Sequence, residues 1–283
     1  MKIKTKKNLS YCKPSKRKNK FTCYSKNSLI KMTKAWNKEY NDKLNENLEV
    51  DLLWNNLSKK LESKCKTEWC WKDLDFVKKN TDKEIKNTFR PIMPKEWYDN
   101  PNAWLSTLDI DAVLYQYEDK FSNFKFLGTH PMDFALKVNN KCSVSNLCKF
   151  KLNDYISNNI NKLGLVLNLD KSHQSGSHWV CLFVDIKLNK IYYWDSYGVK
   201  PDKEVYDFVN VIKKQGSRLN KKFNFYINTY RHQYENSECG VYCLWFLIKL
   251  LESNNSYKEY NNIILKKVKD KIMEKNRKVL FIR

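Results

Sequence analysis

Four residues in the second half of the chain have the types and order that nucleophilic catalysis requires. His178 lies in Gly-Ser-His-Trp-Val, Asp195 in Tyr-Tyr-Trp-Asp-Ser, and Gln233 and Cys239 in Gln-Tyr-Glu-Asn-Ser-Glu-Cys-Gly. A cysteine attacks as thiolate, so its pKa must fall from about 8.5. A histidine beside it holds the displaced proton, and a carboxylate orients that histidine. An amide N–H receives the charge that develops on a substrate oxygen. The set holds one of each: base, orienter, oxyanion donor and thiol.

These residues need elements that bring them together. The apolar runs Trp179 to Ile186 and Ile191 to Asp195 flank Lys-Leu-Asn-Lys, a hairpin signal. Antiparallel pairing sets the start of one strand beside the end of the next, so the seventeen-residue gap from His178 to Asp195 becomes a contact. In this reading Asp195 accepts the Nδ1–H of His178 and Nε2 faces the thiol. Cys239 opens a strongly apolar helix reaching Leu251, whose N-terminal N–H groups favour a thiolate. Gly240, directly after it, suits a tight turn and lets a substrate backbone approach. His173 lies in a polar loop, and His232 sits on the wrong element for Asp195 to orient it. Cys181 and Cys243 fit as buried small hydrophobes.

The remaining chain divides by texture. Residues 1–34 carry twelve Lys or Arg and no acid, and are expected to be a poorly ordered basic arm. Residues 35–95 are expected to form a helical accessory region. Leucines from Leu44 to Leu61 recur at helical spacing within a stretch covering Thr33 to Lys64, and a second stretch covers Asp73 to Phe89. Pro91, Pro94 and Pro101 mark a linker. Residues 96–283 then hold the candidate site. Within them a helix near Ile110 to Phe121 follows Ser106 and Asp109, which can cap it. Leu163 to Leu169 reads as a buried strand, Lys203 to Leu219 as a helix and Phe223 to Tyr230 as a strand. Glu259 to Lys278 reads as an amphipathic terminal helix. The class is α+β.

Composition limits the options. At 283 residues and 42% hydrophobic, the chain can bury a sizeable core. Its net charge of +22 points to a polyanion such as DNA, or to a lysine-rich compositional bias alone. Nine cysteines without a Cys-x-x-Cys disfavour a zinc site and a secreted disulfide framework, and imply a reducing compartment. No metal or cofactor is expected. No apolar run is long enough to span a bilayer, so a soluble protein is expected.

His-Trp, then Trp-Asp-Ser, then Gln-x5-Cys-Gly resembles the adenovirus-protease and ubiquitin-like-protein protease clan of cysteine peptidases. The likeness covers roughly residues 100 to 255. Trp104-Leu-Ser-Thr-Leu-Asp-Ile-Asp111, and Gly164 to Asp170 leading to Ser175-Gly-Ser-His-Trp179, are similar to the core-polyprotein proteases of large DNA viruses, of asfarvirus and poxvirus type. The resemblance implies a papain-like core in circularly permuted order, and catalysis by His178, Asp195 and Cys239 with Gln233 at the oxyanion hole. It implies cleavage after a small pair such as Gly-Gly or Ala-Gly. Trp104 would then be a flat wall that admits only residues without side chains, and Trp179 would line the same cleft.

The expected function is processing of viral core or structural polyproteins during virion maturation, at assembly sites in the host cytoplasm and in the virion core. Two alternatives stand beside it. One is a hydrolase acting on host ubiquitin or SUMO conjugates. The other is a DNA- or core-binding structural protein with a vestigial site, motivated by the basic arm.

Overall fold

A computed structural model describes residues 11–15, 22–80, 83–139, 141–253, 261–263 and 266–282. The chain forms two compact units that divide between Arg90 and Pro91.

The first unit is helical: α1 (Lys26–Glu39), α2 (Val50–Leu61) and the short turns α3 (Asp75–Lys78) and α4 (Lys83–Lys86). Residues 22–34 correct the expectation of a disordered arm. Ser25 caps α1, its side chain accepting the Ser28 N–H, while Tyr24, Leu29 and Met32 are buried. The helical spacing begins ahead of Thr33, and Leu29, Met32 and Trp36 supply the apolar stripe that anchors it. The rest of the arm's described chain is Tyr11–Ser15; residues 1–10 and 16–21 lie outside the described residues. The stretch expected to be helical from Thr33 to Lys64 is two helices. Asn37 explains the break, because its side chain accepts from Leu44 N–H and donates to Leu44 C=O, fastening an irregular loop. Glu68 is buried with its carboxylate accepting from the Thr22 hydroxyl, the Trp54 indole and Cys23 N–H. Such a buried charge holds because its acceptor sites are satisfied.

The cysteine expectation is also corrected. Cys12 pairs with Cys23, Cys65 with Cys70 and Cys142 with Cys148 as disulfides, leaving Cys181, Cys239 and Cys243 free. Short separations bring these partners together, which a search for Cys-x-x-Cys spacing does not register.

The second unit is a five-stranded mixed sheet between helical layers. Its elements are α5 (Thr107–Lys120), β1 (Phe124–Pro131), the small ribbon β2 (Lys137–Val138) and β3 (Lys141–Cys142), α6 (Ser145–Cys148) and α7 (Leu152–Ser157). Then follow β4 (Lys162–Asn168), β5 (Trp179–Asp185), β6 (Lys190–Trp194), α8 (Lys203–Ser217), β7 (Asn224–Ile227), α9 (Cys239–Glu252) and α10 (Asp270–Leu280). The sheet order is β1-β4-β5-β6-β7, with β1 parallel to β4, β6 parallel to β7, and the central pairs antiparallel. Side chains alternate across β5. Cys181 and Phe183 join the core of α5 and α9, while Val180, Leu182 and Val184 join that of α8. Both faces are covered, so the strand reads as a continuous apolar run. The class is α+β, as expected.

Pro91 to Pro101 is not a linker. Met93 and Trp97 are buried in the second unit's core, and the Trp97 indole donates to Ala103 C=O at 2.9 Å. The single amphipathic helix expected from Glu259 to Lys278 is interrupted: residues 261–263 are helical, 266–269 are not, and α10 starts at Asp270; residues 254–260 and 264–265 lie outside the described residues. Among the described residues no helix is long and apolar enough to cross a membrane.

Ser106 and Asp109 form a full capping box at α5. Ser106→Ala should destabilise the chain by about 1 kcal/mol, measured by denaturant unfolding. An unchanged midpoint would contradict the capping role.

Candidate active site

The register of β5 and β6 places the base and its orienter. Cys181 pairs with Trp194. Strand β5 starts at Trp179 and β6 ends at Trp194, so His178 and Asp195 flank the same end of the hairpin. His178 meets Asp195 Oδ1 through Nε2, at 2.8 Å. This reverses the expected nitrogens: the carboxylate takes Nε2, which leaves Nδ1 to face a thiol. Tyr197 stacks on the His178 ring with centroids 4.5 Å apart, and its N–H donates to Asp195 Oδ1 at 2.8 Å.

The loop ahead of His178 is fastened by the two acidic or amide residues that end β4. Asn168 Oδ1 accepts from Ser177 N–H, and Asp170 accepts from Gly176 N–H and the Ser177 hydroxyl. Gly176 has φ 95°, where a side chain is strained. Leu169 N–H donates to the His178 carbonyl. The histidine therefore enters β5 from a fixed position.

Cys239 is the first residue of α9 and only 2% exposed. Gln233 is fully buried. Its Oε1 accepts from the Ser196 hydroxyl at 2.7 Å, and its Nε2 donates to Glu235 C=O at 2.6 Å and to the Tyr197 hydroxyl at 3.4 Å. Asp195 is buried, with its carbonyl accepting from Asn228 Nδ2 at 2.7 Å. Trp104 is 49% exposed, directly before the buried Leu105.

Trp179 is 7% exposed, and its indole N–H donates to Leu105 C=O at 3.0 Å, which ties it to the residue after Trp104. Gly240 lies under the same residues. An added Cβ would sit 3.2 Å from Leu105 Cβ and 3.3 Å from Trp179 Cδ1, so its missing side chain makes room for this packing. Tyr197 and Ser196, which sequence reading passed over, touch the base and the amide; the turn that follows β6 places both.

His173 is exposed in its loop. His232 stacks on Trp194 at 4.5 Å, and its Nδ1 accepts from Val268 N–H at 3.2 Å. Burial, then the charge of Lys267, lowers its pKa to about 4, so it stays neutral. His178 behaves oppositely. Burial works against its charged form, but hydrogen bonds to Asp195 and Cys239 and the charges of both raise its pKa to about 9. The arrangement therefore favours an imidazolium, held by a carboxylate, near the N-terminus of α9.

The comparisons with known proteins agree with this geometry. Residues 115–281 match the model of the Ulp1 protease family, C-terminal catalytic domain. The chain is 30% identical over 269 residues to a thiol protease of Acanthamoeba polyphaga mimivirus, covering 86% of this chain and 83% of that protein. It is 28% identical over 210 residues to a SUMO-1 cysteine protease of African swine fever virus, covering 70% and 74%. The crystal structure of an African swine fever virus protease superposes with a TM-score of 0.66 at 25% identity, covering 97% of this chain and 96% of that one.

The histidines should titrate apart. His178 should hold its proton until about pH 9, and Asp195→Ala should bring the midpoint down toward 6.5, followed by NMR of the imidazole Cε1–H. A raised folded pKa stabilises the fold fully below pH 6.5 and is lost as pH rises through about 9. His232 has the reverse sign: its contribution is present above pH 6.5 and is lost as pH falls toward about 4. His232→Gln should flatten that acid limb in thermal melts. A midpoint for His178 unmoved by loss of Asp195 would contradict the assigned contact.

Proposed function

The chain belongs to the Ulp1 protease family and is a cysteine-type protease acting on protein substrates; from that premise we propose that Cys239, His178 and Asp195 are its catalytic residues and Gln233 its oxyanion donor. The observation that carries this reading is the buried His178, hydrogen-bonded to Asp195 at 2.8 Å, with Cys239 at the start of α9 among the groups that raise its pKa. The Cys239 thiolate attacks the scissile carbonyl carbon, forming a C–S bond while the carbonyl electron pair moves onto oxygen. The Cys239 N–H and Gln233 Nε2–H donate to that oxyanion. Of the two amide contacts, the 3.4 Å one to the Tyr197 hydroxyl is the weaker, and the substrate oxygen takes its place. Collapse breaks the C–N bond, and the His178 imidazolium gives its proton to the departing amine. Water then attacks the thioester as His178 takes its proton, releasing the acid and restoring the ion pair.

For the substrate, we propose a viral core or structural polyprotein cut after a small pair, Gly-Gly-X or Ala-Gly-X, during virion maturation. Both named relatives are proteins of large DNA viruses. A half-exposed Trp104 and a thiol only 2% exposed suit residues without side chains. On this reading the protein works at cytoplasmic assembly sites and in the virion core. Its lysine-rich N-terminal residues would hold a polyanion such as DNA. A second reading is a SUMO or ubiquitin hydrolase, favoured by the name of the African swine fever virus relative. A vestigial site is disfavoured, because the base meets its orienter at 2.8 Å and Cys239 is among the groups that raise the pKa of the base.

Incubation of the full chain with a Gly-Gly-X core precursor should yield cleavage that Cys239→Ala abolishes. Trp104→Ala should lower kcat/KM on the order of 10-fold or more. Cleavage of SUMO or ubiquitin C-terminal fluorogenic substrates with the precursor left intact would replace the polyprotein reading by the second one.

A further inference from the structure

The stretch from Gln233 to Cys239 carries two groups that the proposed mechanism needs, yet residues 233–238 are neither helix nor strand. Its backbone is held from outside, by two side chains of α10. Asp270 Oδ2 accepts from Tyr234 N–H at 2.9 Å and from Glu235 N–H at 3.1 Å, while Oδ1 accepts from the Tyr242 hydroxyl at 3.0 Å. Seven residues on, two helical turns along the same face, Arg277 holds the other end. Its Nε donates to both oxygens of Glu238, at 2.9 and 2.8 Å, and its Nη2 donates to Ser237 C=O at 2.7 Å.

The same guanidinium reaches the loop on the other side of the thiol. Arg277 Nη1 donates to Ala103 C=O at 2.7 Å, one residue ahead of Trp104, and the Arg277 Cζ lies 4.6 Å from the centre of the Trp97 ring. Arg277 is 3% exposed and Glu238 1%. A buried ion pair is seldom retained for stability alone, since apolar residues of similar volume often serve as well. What apolar residues do not supply is a planar fork that fixes three carbonyl or carboxylate groups on two separate loops.

We infer that Arg277 and Asp270 are positioning residues: from α10 they fix the oxyanion segment Gln233–Cys239, and Arg277 sets that segment in register with the Trp104 loop. The inference rests on the assignment of Cys239 and Gln233 as nucleophile and oxyanion donor. It does not depend on which protein is cut.

The test separates the thiolate from the oxyanion hole. Alkylation of Cys239 by iodoacetamide needs the Cys–His–Asp set and no oxyanion. Burst acylation by p-nitrophenyl acetate needs the oxyanion donors and no peptide specificity. The double variant Glu238→Met with Arg277→Met removes the fork without leaving a buried charge. It should melt as a folded protein and keep the wild-type pH profile of alkylation, while acylation slows by about 10²-fold, the scale of a 1 Å misplacement. Asp270→Ala should show the same split, and Asp270→Asn, which keeps an acceptor oxygen, should recover most of the acylation rate. Wild-type acylation in the folded double variant would overturn the inference, as would a fall in alkylation matching the fall in acylation. If wild type acylates but leaves a Gly-Gly-X precursor whole, the substrate reading fails and this inference stands.

Discussion

An imidazolium has to exist where water barely reaches, and the second unit is arranged around that constraint. Burial alone would strip the His178 proton. Asp195 Oδ1, 2.8 Å from Nε2, and the Cys239 sulfur on the ring's other side reverse the balance. Neither compensation survives a displacement of one residue, because a register slip in β5 and β6 would turn the carboxylate to the opposite face. The strands that fix this register are therefore apolar on both faces and clamped between helical layers. The constraint also accounts for the fastening of the Gly176–Ser177 loop by Asn168 and Asp170. A histidine whose entry to the strand could drift would lose its carboxylate first.

What the sequence made legible follows from how local each signal is. The helix α5 with its Ser106 cap, the hairpin of β5 and β6, α8 and the apolar α9 all carry their pattern within a dozen residues. The spacings from His178 to Asp195 and from Gln233 to Cys239 are local too, so the candidate site could be read before its fold. Strand β1 was not. Phe124–Pro131 contains Gly128 and ends in proline, and its partner β4 is a parallel neighbour more than thirty residues later. Its strand character comes from that pairing. Disulfides pose the same difficulty, since partners such as Cys12 and Cys23 are chosen by the folded chain.

The side chains next to His178 and Cys239 teach a narrower lesson. In a strand successive side chains point to opposite faces. Trp179, Cys181 and Phe183 accordingly share the α9 face of β5, where Trp179 donates to Leu105 C=O and lies beside Gly240 in the first turn of α9. Strand β6 ends at Trp194, and beyond it the chain turns, with Gly198 N–H donating to Asp195 C=O. That turn, rather than strand register, brings Tyr197 onto the imidazole and its N–H onto Asp195 Oδ1.

Two thiols on one helix show how completely position decides chemistry. Cys239 and Cys243 are a single turn apart on α9, and both are buried. Cys243 lies in the core beside Cys181, and burial pushes its pKa well above the ordinary thiol value. Cys239 stands at the free end of the same helix, where unpaired N–H groups point outward, and is among the groups that raise the pKa of His178. Sequence composition treats the two residues alike. The end of a helix and a nearby histidine, each held by elements distant in the chain, separate the thiol we propose as nucleophile from one packed in the core.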